Sequence, residues 1–312
     1  MATNLNPPDP AASQPAASRT TPASPGVLNR VWSYEDAFAR NRGLITADEQ
    51  QRLRNCRVAI AGMGGVGGIH LVTLARLGIG RFTIADPDIF EVANFNRQAG
   101  ATCSAIGRSK VEVMAEIARE INPEVDLRVH KGPIDGGNAD EFLRDADLFV
   151  DSVDFFSIDL RRTLFRMAAE RGIYGITAGP IGFSTAWLTF SPTGMSFDAY
   201  FDLHDGMEPL DSLIAFAVGL TPAATHLAYM DLKKVDVASR TGPSAGAACQ
   251  LCAGVAAVAA VKILTGRGSL RPVPYYSQFD AFSHVLRSGY LRWGNRHPWQ
   301  RLKRWWLRRK FS

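Results

Sequence analysis

Cysteine is scarce and scattered in this chain of 312 residues: Cys56, Cys103, Cys249 and Cys252 are all it has. Such spacing offers no disulfide framework, so a reducing, cytoplasmic setting is the expectation. No run of 18 uncharged apolar residues reads as a membrane span either. The nearest, Leu213 to Met230, is interrupted by Thr, Pro and His and reads as core rather than as a membrane span. Residues 1 to 30 have few large apolar side chains and are rich in Pro, Ala, Ser and Thr. That composition cannot bury enough surface to offset its ordering entropy, so disorder is expected there. The segment has no apolar h-region, and Arg19 is its only basic residue before Arg30, which argues against a secretory signal. Residues 291 to 312 lack acids altogether, yet hold eight Lys/Arg and four of the six tryptophans. The chain's net charge of +5 becomes −3 without those eight cations, so its basicity belongs to this stretch.

What is present centres on residues 57 to 110. A β-rich run, Arg57 to Ala61, leads into GMGGVGG and then an apolar-periodic segment from Ile69 to Leu77. That order reads strand, tight turn, helix. Gly62, Gly64 and Gly67 match G-x-G-x-x-G, in which glycines make the turn, admit a phosphate to the backbone and let helix and strand pack. A second strand, Arg81 to Ala85, ends at Asp86, whose carboxylate can accept hydrogen bonds from a ribose.

A NAD-dependent oxidoreductase commonly owns such a turn. The residues that follow argue for a more highly charged ligand. Asp86 and Asp88 run into Asn94, Arg97 and Gln98, and Lys110 opens the next helix. A dinucleotide's pyrophosphate is largely satisfied by a helix N-terminus, whereas a nucleoside triphosphate needs cations or metal as well. Arg97 can grip two phosphate oxygens with its fork, and Lys110 supplies a point charge. Ser109 and Glu112 have the spacing of a capping box, which places Lys110 in a first helical turn. A cation there opposes the helix dipole, for which a phosphate partner is a reason.

These residues resemble the ThiF/MoeB/HesA superfamily, which shares its adenylating domain with ubiquitin-activating enzymes. The segment DPDIFEVANFNRQ is similar to the family's D-x-D-x-V-x-x-S-N-L-x-R-Q, and the likeness covers about residues 38 to 285. It implies ATP and Mg2+ as cofactors and adenylation of a carboxylate. It places Gly65 against the nucleotide, Asp86 on the ribose, and Asn94, Arg97 and Lys110 on the phosphates. Arg40-Asn41-Arg42 is similar to the family's R-Y-N-R-Q, whose last arginine reaches the triphosphate of a neighbouring protomer. Arg42 would do so here, which implies a homodimer. After a further strand, Asp147 to Val150, the run Asp151-Ser-Val-Asp154 is similar to the family's D-x-x-D-N. Asp154 would then face Mg2+, although Phe155 stands where the family has asparagine. Its bland alternative is a cap for the helix beginning near Ser157.

Elsewhere, Thr46 to Arg54 reads as a helix. Val111, Met114, Ile117 and Ile121 mark another, ending near Asn122-Pro123. A strand at Asp126 to His130 and a short helix from Ala139 to Leu143 follow. Strands alternating with helices imply a Rossmann-like, mostly parallel, doubly wound α/β sheet. Residues 173 to 191 hold two β-rich runs split by Gly-Pro-Ile-Gly, read as the entry to a smaller mixed-sheet half. Residues 192 to 247 are the least readable. They contain an acidic stretch with five carboxylates and a Gly/Pro/Ser stretch from Arg240 to Gly246, which reads as a mobile loop near the site. Ala247 to Leu264 reads as a buried helix. Its Cys249-x-x-Cys252 is half of a tetrahedral zinc site with no second pair, so no zinc is expected. Residues 273 to 285 read as a closing strand. The resulting organisation is a disordered segment over 1–30, an adenylating domain over 31–290 and a basic stretch over 291–312. The domain divides into a nucleotide half, about 55–180, and an acceptor half, about 181–290.

In that last stretch Leu302, Trp305, Trp306 and Arg309 can share one helical face. Three readings stay open for it: an anionic membrane surface, a nucleic-acid backbone, or packing on the domain. The acceptor carboxylate is left between the C-terminus of a ubiquitin-like or sulfur-carrier protein and a modified tRNA base. An NAD-binding oxidoreductase and an inactive, membrane-docked scaffold are the alternatives from other classes.

Overall fold

The computed structural model describes residues 31–237 and 239–311. The expectation of disorder over residues 1 to 30 lies outside them. In chain order the lead-in gives α1 (Tyr34–Ala37) and α2 (Ala47–Asn55). There follow β1 (Arg57–Ala61), α3 (Gly67–Arg76), β2 (Arg81–Ala85), α4 (Lys110–Ile121) and β3 (Asp126–His130). Next come α5 (Ala139–Phe142), β4 (Leu148–Asp151) and α6 (Ile158–Glu170), then β5 (Tyr174–Ile181) and β6 (Ser184–Phe190). The remainder is α7 (Phe197–Phe201), α8 (Pro209–Leu220), α9 (Gly246–Thr265), β7 (Tyr275–Asp280), β8 (Val285–Tyr290) and α10 (Pro298–Phe311).

One eight-stranded sheet runs in the order β3-β2-β1-β4-β5-β6-β7-β8. The first five are parallel to their neighbours, and the last three continue antiparallel. This is the mostly parallel, doubly wound α/β sheet with a mixed second half that the sequence implies. Every residue of β1 is buried, as a strand covered on both faces requires. Alternation along it sorts the core into two layers. Val58 and Ile60 pack with residues of α2, α3, α4 and α9 on one face. Ala59 and Ala61 face α5, α6, α7 and α8 on the other. The chain leaves β1 toward β2 and returns through β4 on β1's other side. Between β1 and β4 the order reverses, and a crevice opens at the carboxyl ends of the strands.

Helix α2 begins at Thr46, whose hydroxyl and Glu49 form a reciprocal capping box, close to the expected start. The same device expected at Ser109 does not form. The Ser109 side chain makes no cap hydrogen bond, and Ser109 is held in an antiparallel bridge to Ile89. Glu112 instead pairs with Lys131. The single closing strand expected over 273–285 is a hairpin, because Asp280 accepts from the Ser283 amide and turns the chain into β8. Helix α8 begins with Pro209 at its first turn, where a missing N–H costs nothing. Helix α9 is long and apolar enough to cross a membrane. Here one face packs against α3 and strands β5 and β6, while a strip through Ala247, Gln250, Gly254 and Val258 stays exposed, so the helix expected to be buried is buried on one side.

Helix α10 lies on α8. Gln300 donates to the Val218 carbonyl at 3.0 Å and Lys303 to the Pro222 carbonyl at 2.6 Å. Arg304 pairs with Asp202 at 2.6 Å and Arg308 with Asp211 at 2.7 Å.

Candidate functional site

The glycine turn sits where β1 meets α3, and its glycines do two jobs. Gly62 has φ +96°, and a Cβ there would overlap the Ser152 carbonyl. A Cβ on Gly67 would overlap the Gly62 carbonyl. These two glycines let the turn press against the exit of β4 and the start of α3. Gly64 and Gly65 are different. A Cβ on Gly64 would meet only the Gln98 amide, at 3.8 Å, and one on Gly65 would meet Cys249 Sγ at 3.4 Å and the Arg97 chain at 3.7 Å. The middle of the turn is open backbone roofed by flexible side chains. The N-cap of α3, Val66, offers no side-chain acceptor. No side-chain cap therefore competes with an anion for the first amides of that helix, of which the Gly68 amide reaches the Gly64 carbonyl only at 3.4 Å.

Asp86 closes the floor. One carboxylate oxygen accepts from the Met63 amide at 2.6 Å and the other from the Asp88 amide at 2.8 Å. It thereby ties the glycine turn to the end of β2. Burial pushes its pKa up, while the two amides and Lys110 pull the other way. The buried Lys110 ammonium meets Asp88 at 2.9 Å, and the Lys110 amide donates to the Asp88 carbonyl at the same distance. The structure thus pairs two residues that sequence reading assigned separately to the nucleotide.

The loop carrying Asn94, Arg97 and Gln98 folds over the turn. Asn94 caps it by accepting from the Glu91 amide through Oδ1 at 2.9 Å, which leaves its NH2 to donate. Arg97 lays its aliphatic part against Gly65 and holds its guanidinium on the Ala93 carbonyl at 3.0 Å and Asn96 Oδ1 at 2.9 Å. Gln98 is buried, and its Oε1 has no hydrogen-bond partner among the described residues. Asn96 donates to the Ser244 carbonyl at 2.9 Å, and the Gly246 amide donates to the Asn96 carbonyl at 3.2 Å. This clip fastens the loop to the start of α9.

Across the crevice, β4 ends in a buried ion pair. Asp151 accepts from Arg161 Nε at 2.7 Å, and Arg161 also donates to the Val153 carbonyl at 2.6 Å. Asp151 is therefore spent on shaping the loop that presents Asp154. The Asp154 carboxylate is more than half exposed and meets Arg240 at 3.0 Å. Arg240 reaches in from the Gly/Pro/Ser loop and also donates to the Ser157 hydroxyl at 3.2 Å. Asp154 does not cap α6, whose N-cap is Ser157. The sequence places the loop from Arg240 to Gly246 near the site but does not reveal the contacts that Arg240, Ser152 and Arg161 make there. No motif spacing marks them; only the chain's return to the strand ends brings them in.

Arg42 stands apart from these groups. The neighbouring Asn41 donates to the Leu77 carbonyl, at the far end of α3 from the glycine turn. Ten residues separate those ends, roughly 15 Å at the helical rise. Cys249 and Cys252 are buried, with burial raising both thiols. Arg97 opposes the rise at Cys249, and Cys252 lies 3.1 Å from the Thr185 hydroxyl.

The model of the ThiF family matches residues 38–297. A tRNA threonylcarbamoyladenosine dehydratase of Haemophilus influenzae is 35% identical over 160 residues, 51% of this chain and 60% of that protein. The probable adenylyltransferase/sulfurtransferase MoeZ of Mycobacterium tuberculosis is 27% identical over 241 residues, 76% of this chain and 55% of that protein. The chain thus spans between 55% and 60% of the length of these two relatives. Among solved structures, PaaA superposes with a TM-score of 0.63 at 20% identity, over 84% of this chain and 77% of PaaA. That likeness is one of fold.

Proposed function

The chain belongs to the ThiF family, and from that premise we propose that it is an ATP-dependent adenylyltransferase. A carboxylate oxygen of the acceptor attacks the α-phosphorus of ATP. The bond from that phosphorus to the bridging oxygen breaks, and pyrophosphate leaves with the bonding pair. The products are an acyl-adenylate and pyrophosphate. The protein's work is to position the two reactants and offset the growing charge.

The observation that carries this reading is the convergence of separate segments on the open glycines. Arg97 and Gln98 roof Gly64 and Gly65, and Asp86 anchors the turn beneath them. In the proposed complex the phosphates lie along Gly64, Gly65 and the first amides of α3. The Arg97 fork turns from the Ala93 carbonyl to phosphate oxygens, and Asn94 donates its free NH2. Gln98 Oε1, without a partner among the described residues, is a ready acceptor for a ligand hydroxyl or amine. Lys110, with Asp88 on one donor, keeps two N–H groups for the ligand. Asp86 retains lone pairs for the ribose hydroxyls.

Mg2+ suits Asp154, because a hard cation of that size takes one carboxylate together with phosphate oxygens. Bound there, it would neutralise charge on the phosphates. Arg240 now occupies that carboxylate, so metal and guanidinium compete for it. Arg42 is assigned to the site of a partner copy, which makes the working unit a homodimer.

For the acceptor we favour the C-terminal carboxylate of a ubiquitin-like or sulfur-carrier protein. The second reading is a tRNA carboxylate, supported by the 35% identity to a protein named as a tRNA dehydratase. ATP–pyrophosphate exchange, run with carrier peptides and with tRNA, separates the two. Exchange should appear with one acceptor class, and Arg97→Ala should abolish it. Exchange that survives in Arg97→Ala unchanged would remove the proposed phosphate site.

A further inference from the structure

We propose that the outward face of α10 docks on an anionic lipid surface. The helix is amphipathic in an inverted sense. Its polar side faces the protein, where Gln300, Lys303 and Arg304 are bonded to the domain. Its apolar side faces away. Trp299, Leu302, Trp305 and Trp306 are 67%, 51%, 51% and 49% exposed. Their helical spacing gathers them into one strip opposite Gln300.

Charge identifies the occupant. The inward Arg304 and Arg308 have carboxylate partners in Asp202 and Asp211, and Lys303 is held by the Pro222 carbonyl and Gln300 Oε1. Among the described residues, no carboxylate pairs with Arg301, Arg309 or Lys310. Arg309 lies 3.8 Å over the Trp305 ring and Lys310 is 5.2 Å from that of Trp306. Indoles interleaved with unmatched cations suit the boundary between acyl chains and anionic headgroups, where each ring can be half buried while the cations meet phosphate. A second copy of this chain fits poorly, because a two-fold contact sets each patch against its own image, cation to cation. A nucleic-acid backbone would use the cations and leave Leu302 and the indoles in water.

The test is flotation of the full chain with vesicles of phosphatidylcholine alone and of phosphatidylcholine mixed with phosphatidylglycerol, without nucleotide. The chain should float with the mixed vesicles, remain in solution with the neutral ones, and release as salt rises. Replacing both Arg309→Gln and Lys310→Gln should weaken binding by more than tenfold, from about fivefold per cation. Trp299→Ala with Trp306→Ala should weaken it comparably. Unchanged far-ultraviolet circular dichroism would show that these surface variants still fold. Failure to float with the mixed vesicles would overturn the proposal. So would full binding by either double variant, or loss of tRNA binding in both double variants while vesicle binding stays intact. None of these readouts depends on adenylation, so this proposal and the proposed enzyme can fail separately.

Discussion

Single side chains in this protein carry costs that their position in the sequence conceals. His70 is the clearest example. It sits within the apolar stripe of α3, and both ring nitrogens are buried without a hydrogen-bond partner among the described residues. Burial alone pushes its pKa from 6.5 down to about 4. The folded protein therefore resists protonation at a pH where the unfolded chain accepts it. This contribution to stability is fully present above about pH 6.5 and is lost as pH falls toward 4, amounting to roughly 3 kcal/mol over the whole interval. His226 adds a term of the same sign, since burial lowers it to about 4 as well, with Asp280 opposing. Denaturant midpoints measured at pH 7.5 and pH 5 should show a marked loss at the lower value. His70→Met, which fills the space without a titrating group, should lose noticeably less over the same interval. Identical losses in the two proteins would mean that His70 is already charged or solvated.

At the scale of elements, the sequence announced what depends on local chemistry and hid what depends on distant partners. The strand–turn–helix from Arg57 to Arg76 was legible because β-branched residues, glycines and a 3.6-residue period all agree there. Helix α2 was legible from the Thr46–Glu49 pair. Helix α8 was harder to see, since it is buried almost all round and its sequence shows no polar face. Strand β8 was missed because it lies at the sheet's edge and carries mostly exposed residues. The loop from Arg240 to Gly246 is expected near the site, but nothing in the sequence marks Arg240 as the partner of Asp154, 86 residues away. The glycine turn itself shows the limit of motif reading: its three matching glycines have unequal roles. Gly67→Ala drives a methyl into the Gly62 carbonyl and should cost more than 3 kcal/mol, enough to impair folding. Gly64→Ala meets only the end of Gln98 and should fold with a change below about 1 kcal/mol, yet weaken ATP binding at least tenfold. Thermal unfolding paired with nucleotide titration separates the two effects. A Gly64→Ala protein that binds ATP normally would show that phosphates do not approach this backbone.

For the whole molecule, the position of Arg42 decides which chain's site it can serve. It is exposed on the lead-in, beside Asn41 and Leu77, while the open glycines lie at the other end of α3. An arginine side chain cannot span the roughly 15 Å length of that helix. Either Arg42 is an ordinary surface cation, or a second protomer brings it to a site that is not its own. The second case makes a quantitative demand. Arg42→Ala and Lys110→Ala should each abolish exchange as pure proteins, since every site then lacks one group. When the two are unfolded and refolded together in equal amounts, about half of the two-fold dimers are mixed, and one of the two sites in each has both residues. Roughly a quarter of wild-type exchange activity should therefore return. If Arg42 acted within its own chain, no mixture could restore a complete site and activity would stay at zero. If it were an ordinary surface cation, Arg42→Ala alone would retain full exchange.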